Sequence, residues 1–380
     1  MMMRERSIPL GKILGIPIGL DYSWFLFFGL ITWSLATGYY PQRYAEWSGA
    51  LFWLMGAVTA IALFGSVLLH ELGHSVAARY YHIPVRRIRL MIFGGVAELS
   101  DDPPHAGAEF LIALAGPFVS VILAGLLGVT WAVLAFFVPI PALEPLQALA
   151  GYLAIINLLL AGFNLLPGFP LDGGRVFRSV VWGLTGDLSR ATAIAAGVGR
   201  VVSFGFIGVG VLQAFTGSLF NGLWTAFIGM FLFGAASAEV QVQRMRAVLS
   251  QRTVAQAMRR QYPTIPGDVT LLQLVNSHIL GSGWRSFLVI GDDGRVGTLN
   301  AAQVRTVPRQ EWPFVTAADV MIPVDERHQV GPDTGLWTAL KQMDGSGVDE
   351  LTVVEDGRIY GLLRREDVFG YLRTVLQFGV

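Results

Sequence analysis

The amino-acid sequence predicts a polytopic α-helical membrane protein of about six transmembrane helices, followed by a soluble α/β unit. Three observations predict this fold class. The chain is 53% hydrophobic and only 14% charged over 380 residues, too apolar for an ordinary soluble enzyme. Several stretches reach the roughly 20 predominantly apolar residues that a helix needs to cross a bilayer. Beyond Glu239 charges return through QVQRMRAVLSQR, and no later run is long enough to span.

The chain opens MMMRERSIPLGKILGIPIGLDYSW, with charge well before the first long apolar run and no small-residue cleavage site, which reads as a retained anchor. Spans are expected near residues 20–40, 50–78, 108–137, 146–166, 198–217 and 219–239. Pro139 and Pro141 divide the third from the fourth, and the turn residues of TGSLFNG divide the fifth from the sixth. Arg4, Arg6, Lys12, Arg79, Arg86, Arg87, Arg89, Arg175, Arg178 and Arg190 all fall on one side of this arrangement. The opposite loops PQRYAEW, VPIPALEPLQ and TGSLFNG hold one arginine in total. Short cytoplasmic loops collect Lys and Arg, so both termini are expected in the cytoplasm of a multi-pass cell-membrane protein. Arg200 reads as lying at the lipid interface on a fifth helix that starts near Ser189, with its guanidinium reaching for water.

The two parts are expected at 1–245 and 246–380. The second repeats internally. TVAQAM at 253–258 recurs as TAADVM at 316–321, and FLVIGDDGRVGTL at 287–299 recurs as LTVVEDGRIYGLL at 351–363, an offset of about 63 residues. Each copy, about 253–306 and 316–375, reads as helix, strand, tight turn at DDG or EDG, strand and helix.

Basic and acidic residues balance at 27 each, so nucleic acid is not an expected partner, because phosphate binding needs a basic surface. A lipid bilayer is the expected surroundings. The chain has no cysteine, so any metal must be held by nitrogen and oxygen.

LLHELGHSVAARY at 68–80 ends an apolar run with two histidines and a glutamate, side chains that are costly in a bilayer and mark function there. His70 and His74 stand at i and i+4, on one helical face and within reach of one ion, with Glu71 beside them. Neutral imidazole suits zinc, and a catalytic zinc keeps a position for water whose pKa it lowers. Glu71 can take that water's proton and pass it to a leaving amine. The third ligand is expected from GFNLLPGFPLDGGRVFR at 162–178, where Pro167, Pro170, Gly173 and Gly174 interrupt a helix and Asp172 offers a carboxylate. Non-helical backbone at membrane depth is tolerated only where it is buried in protein or lines a wet cavity. Asp172 also suits an N-cap on a helix beginning at Gly173.

HELGH together with NLLPGFPLDGGR resembles the site-2 protease family of intramembrane zinc metalloproteases, over roughly residues 10–240. The resemblance implies one Zn2+ held by His70, His74 and Asp172, with Glu71 as the catalytic acid and base. It also implies that Asn164 contacts the substrate backbone, where its carboxamide suits an oxyanion. FGGVAEL at 93–99, with Gly94 and Gly95, matches a strand that pairs with unwound substrate; a hairpin packed on the bundle is the alternative. Ala115-Gly116-Pro117 reads as a packing kink. The implied partner is a membrane-protein substrate, a tethered regulator such as an anti-sigma factor or a transcription factor.

The repeated unit resembles a tandem of CBS domains over about 253–375, modules that bind adenine nucleotides in the cleft between copies or serve as a homodimer contact. The usual Thr or Ser followed three residues later by Asp is altered here. Asn300 and Gln303 stand at those positions in the first copy, and Arg364 and Asp367 in the second. Asp367 is the nucleotide-binding candidate, and its other reading is an acid at a helix N-terminus. A CBS-linked transporter or channel with an intramembrane metal site is the other function class. Against it, the six spans show no inverted repeat, and permeation does not require a glutamate beside two ligands.

Overall fold

The computed structural model describes residues 7–91, 94–138, 140–292, 294–325 and 328–378. Arg4, Arg6, Phe93, Pro139 and Asp293, all used above, lie outside these stretches. The chain divides into two compact units, Met1–Gln241 and Val242–Val380.

The first unit opens with a hairpin. Strands β1 (Ser7–Ile13) and β2 (Ile16–Asp21) pair antiparallel around Leu14 and Gly15, both at positive φ. Ile16, Ile18 and Leu20 alternate along β2 and are buried, a two-residue period hidden among the apolar residues that suggested an anchor. A helical run follows: α1 (Ser23–Ser34), a wider π-type stretch at Leu35–Tyr39, and α2 (Tyr40–Arg43). The first expected span is therefore helical but widened toward its end, just before Pro41, which brings no N–H to the ladder.

Helix α3 (Gly49–Tyr80) leads to β3 (Val85–Met91) and β4 (Gly94–Leu99), and then come α4 (Ala106–Phe136) and α5 (Glu144–Asn164). The short α6 (Asp172–Thr185) precedes α7 (Leu188–Phe215) and α8 (Leu219–Ser250). Ser48, His105 and Asp187 cap α3, α4 and α7 by accepting from the N–H groups of Leu51, Ala108 and Arg190. Among the described helices α3, α4, α7, α8 and the run Pro141–Asn164 are each long and apolar enough to cross a membrane. Within each span only 22–33% of the most apolar window is buried, so most of that surface faces outward, where lipid matches it. The protein is an integral membrane protein. Helix α7 begins at Leu188, close to the Ser189 start read from Arg200, and Arg200 is exposed on it.

The four strands form one sheet in the order β1-β2-β3-β4, with β2 and β3 parallel and the outer pairs antiparallel. Leu72 of α3 packs on Ile16, Ile18, Leu20, Ile88 and Leu90. Arg87 and Arg89 reach Glu98 across the strands at 2.9 and 3.1 Å, which holds β4 in register over α3.

In the second unit the first copy runs α9 (Val254–Ala257), β5 (Thr264–Pro266), α10 (Leu271–Gln273), β6 (Ser286–Ile290), β7 (Val296–Asn300) and α11 (Ala301–Val304). The second runs α12 (Ala317–Val320), β8 (Ile322–Pro323), β9 (Gln329–Val330), α13 (Leu336–Ser346), β10 (Glu350–Glu355), β11 (Arg358–Arg364) and α14 (Arg365–Phe378). Thr253 and Thr316 open equivalent helices with capping boxes completed by Gln256 and Asp319. The copies are interlocked. Strand β8 completes the sheet β5-β6-β7-β8, Ala317 and Met321 sit in the first copy's core, and Val254 sits in the second's.

Glu350, at the start of β10, is buried in this unit. Burial pushes its carboxyl up to about 7 from an ordinary 4.5, outweighing Ser286 and Arg364, which favour ionisation, while Asp367 and Glu366 oppose it. The folded unit thus keeps a proton that the unfolded chain releases between about pH 4.5 and 7, so this group lowers stability as pH rises through that window. Glu350→Gln is expected to stabilise the unit by on the order of 3 kcal/mol at pH 8 and by little near pH 4. Urea unfolding of full-length wild type and variant at the two pH values checks it.

Candidate metal centre

The residues of the HELGH motif face the sheet, α4 and α6. Leu72 fills the sheet core. Gly73 lies against α4, where a Cβ would stand 2.8 Å from the Ala115 carbonyl oxygen and 2.9 Å from Val119 Cγ2, so glycine lets the two helices approach. His70 and His74 are both buried. His74 Nδ1 donates to the Ile112 carbonyl at 2.7 Å, and His70 Nδ1 pairs with Ser120 Oγ at 2.9 Å. A carbonyl only accepts, so His74 is assigned its proton on Nδ1 and presents an Nε2 lone pair; Ser120 orients His70 alike.

Asp172 arrives on a separate element as the first residue of α6. Its Oδ2 lies 3.1 Å from His70 Nε2 and 3.2 Å from His74 Nε2, and the two Nε2 atoms are 3.3 Å apart. A tetrahedral ion bound at about 2.0–2.1 Å sets its ligand atoms roughly 3.3–3.4 Å apart, so the three donors are spaced for one small cation. Two imidazoles and a carboxylate without thiolate suit zinc. Room for it comes from Gly116 of α4, where a Cβ would lie 2.2 Å from His74 Nε2 and 2.7 Å from His70 Nε2. The residue read as part of a packing kink keeps the space before both rings open.

Glu71 lies beneath β4. A Cβ on Gly95 would stand 2.4 Å from Glu71 Cγ. Gly94, at φ +122°, has open space where its side chain would be. Asn164 ends α5, and its side-chain amide donates to Leu160 O of its own helix at 3.0 Å. The turn before Asp172 is pressed onto its neighbours: a Cβ on Gly173 would meet Leu165 O at 2.3 Å, and one on Gly168 would meet Gly199 Cα at 2.4 Å.

Sequence reasoning missed Ile112, Gly116 and Ser120, which lie four apart on α4 and all face the histidines. That i, i+4 stripe is present in the sequence, but nothing local says which helix it faces.

In the second unit Asp367 sits in the first turn of α14, paired with Arg259 at 2.8 Å and Arg364 at 3.0 Å. Burial alone would raise its carboxyl, but hydrogen bonds from Arg364 and Arg259 hold it below the usual carboxylate range. A cleft nearby is lined by Arg259, Tyr262, Trp284, Arg285, Arg364 and Glu366.

Comparison with known proteins bears on this site. Residues 58–149 and 139–206 match the profile of Peptidase family M50. The chain is 35% identical over 373 residues to a putative zinc metalloprotease of Synechocystis, covering 97% of this chain and 96% of that protein. The chain belongs to peptidase family M50, the site-2 proteases. This M50 chain is also 35% identical over 368 residues to a putative zinc metalloprotease of Mycobacterium tuberculosis, covering 96% of this chain and 92% of that one. The solved site-2 protease of Methanocaldococcus jannaschii shares 33% identity, covers 62% of this chain and 95% of its own, and superposes with a TM-score of 0.42. Residues 317–374 match the CBS domain. As an M50 member the protein is a metalloprotease that acts within the membrane on a membrane-protein substrate, and the transporter or channel alternative falls away.

Proposed function

We propose that His70, His74 and Asp172 hold one Zn2+ and that Glu71 is the acid and base of peptide-bond hydrolysis in or near a substrate's transmembrane segment. The observation that carries this is the convergence of three donor atoms 3.1–3.3 Å apart on the space that Gly116 leaves open. A zinc held there would supply a water of lowered pKa, toward about 7, and a Lewis acid for the scissile carbonyl. Glu71, its carboxylate held under β4, would accept a proton from the attacking water and return it to the leaving amine. Asn164 offers its amide to the substrate backbone or the oxyanion by exchanging its bond to Leu160 O. Strand β4 ends the sheet order, and its outer edge around Gly94 and Gly95 accepts an unwound substrate segment through main-chain hydrogen bonds.

The substrate in this reading is a membrane-tethered regulator of the anti-sigma-factor or transcription-factor type. The arginine distribution supports a cell-membrane location with both termini in the cytoplasm. A membrane proteome from cells carrying Glu71→Gln in place of wild type is expected to accumulate an uncleaved precursor; identical proteomes would reject the reading.

The CBS unit, in the same proposal, modulates cleavage, pairs with a second copy and takes an adenine nucleotide. Support for the nucleotide comes from three guanidinium groups, Arg259, Arg285 and Arg364, lining a cleft with Trp284 and Tyr262. Asp367 is engaged by two of these arginines and serves to orient them. Titrating ATP, ADP and AMP into the full-length protein by calorimetry is expected to give binding heat for at least one; none for all three removes nucleotide sensing.

A further inference from the structure

Arg178 of α6, one of the arginines counted toward the cytoplasmic side, is buried at 7% exposure. Its Nε donates to Glu109 Oε1 at 2.8 Å, and its Nη2 pairs with the same oxygen. Nη1 donates to Glu239 Oε1 at 3.1 Å and approaches Thr192 Oγ1 at 3.5 Å. One guanidinium therefore joins α4, α7 and α8 to α6. Glu109 is fully buried, and its second oxygen has no hydrogen-bond partner among the described residues.

Such a cluster is a poor stabiliser. Desolvating three charges costs about as much as their attraction returns, and well-packed apolar residues often do as well or better. What fixed, forked hydrogen bonds supply is position. The guanidinium carbon lies over the Phe169 ring, 4.9 Å from its centre. Phe169 is buried among Ala195, Ala196 and Ala236, and its carbonyl oxygen would stand 2.5 Å from a Cβ on Gly199. Three residues later the same turn delivers Asp172 to the histidines. A metal ligand must be placed to within about 0.2 Å, a tolerance a free turn does not hold.

We propose that Arg178 is a positioning residue of the metal centre: clamped by Glu109 and Glu239, it seats Phe169 and thereby fixes the turn that presents Asp172. This rests on Asp172 being a metal ligand. Because Glu239 lies on α8, the same contact ties that helix to the placement of the ligand.

The test uses full-length protein in nanodiscs with Arg178→Lys, Glu239→Gln and Asp172→Asn. Three quantities are read: Zn2+ affinity by chelator competition, the visible spectrum of the Co2+-loaded protein, and thermal unfolding. Arg178→Lys is expected to weaken Zn2+ binding by roughly 10-fold and to alter the Co2+ spectrum, and Glu239→Gln to do the same more weakly. If Asp172→Asn changes affinity and spectrum while Arg178→Lys and Glu239→Gln match wild type, the positioning role is overturned and the ligand reading stands. A lowered unfolding temperature in those variants with unchanged affinity and spectrum overturns it as well. If Asp172→Asn itself leaves both unchanged, the ligand assignment fails and takes the proposal with it. Should Arg178→Lys not fold, Glu239→Gln and Phe169→Leu carry the same comparison.

Discussion

Replacing Glu71 with glutamine is expected to lower kcat/KM for peptide-bond cleavage by roughly 10²–10⁴-fold while one zinc per chain stays bound. The substitution keeps the shape of the side chain, so its contact with Gly95 and the seat of β4 are undisturbed. His70, His74 and Asp172, whose spacing defines the metal position, are untouched. What is lost is a group able to accept a proton and hand it on. Purified wild type and variant, assayed for metal content and for cleavage of a membrane-embedded peptide, decide the matter. Activity within tenfold of wild type, or loss of the metal, would refute the role given to Glu71.

Gly116→Ala is expected to weaken zinc binding by roughly 100-fold or more. In a helix interior, alanine is favoured over glycine by about 1 kcal/mol, so the backbone of α4 gains from the change. The new methyl, however, would stand 2.2 Å from His74 Nε2 and 2.7 Å from His70 Nε2, inside the space the cation needs. Helix propensity and metal affinity therefore move in opposite directions, which separates a specific effect from misfolding. Gly125→Ala on the same helix, where nothing lies within 4 Å, is the matched control and should bind like wild type. Equal affinities for the two variants would show that Gly116 does not face the metal.

The chemistry was legible where it was local. HELGH carries its geometry in its own spacing, and the cost of charge in lipid supplies the reason to notice it. The broken helix around Asp172 was legible from its prolines and glycines. The remaining parts depend on partners far off in the chain. Ser120 is recognisable as a support only once α4 is known to lie against α3. Arg178 counts as one more loop arginine until Glu109 and Glu239 are brought beside it. The hairpin of β1 and β2 was lost for another reason: Ile16, Ile18 and Leu20 alternate within a stretch so apolar overall that length, not period, governed the reading. The first span kept its helical character but not its regularity, because Pro41 acts on the ladder and leaves hydropathy nearly unchanged.

The interlocking of the C-terminal copies bears on what shortening the unit would do. The repeated stretch is not a piece that stands by itself. Ala317 and Met321 complete a core built from the preceding repeat, and Val254 reaches forward into the core of the following one. A gene shortened to a single repeat would leave one half without its lid and β7 with a bare flank open to aggregation. Truncation within the pair is therefore expected to cost the fold of both halves, not of one.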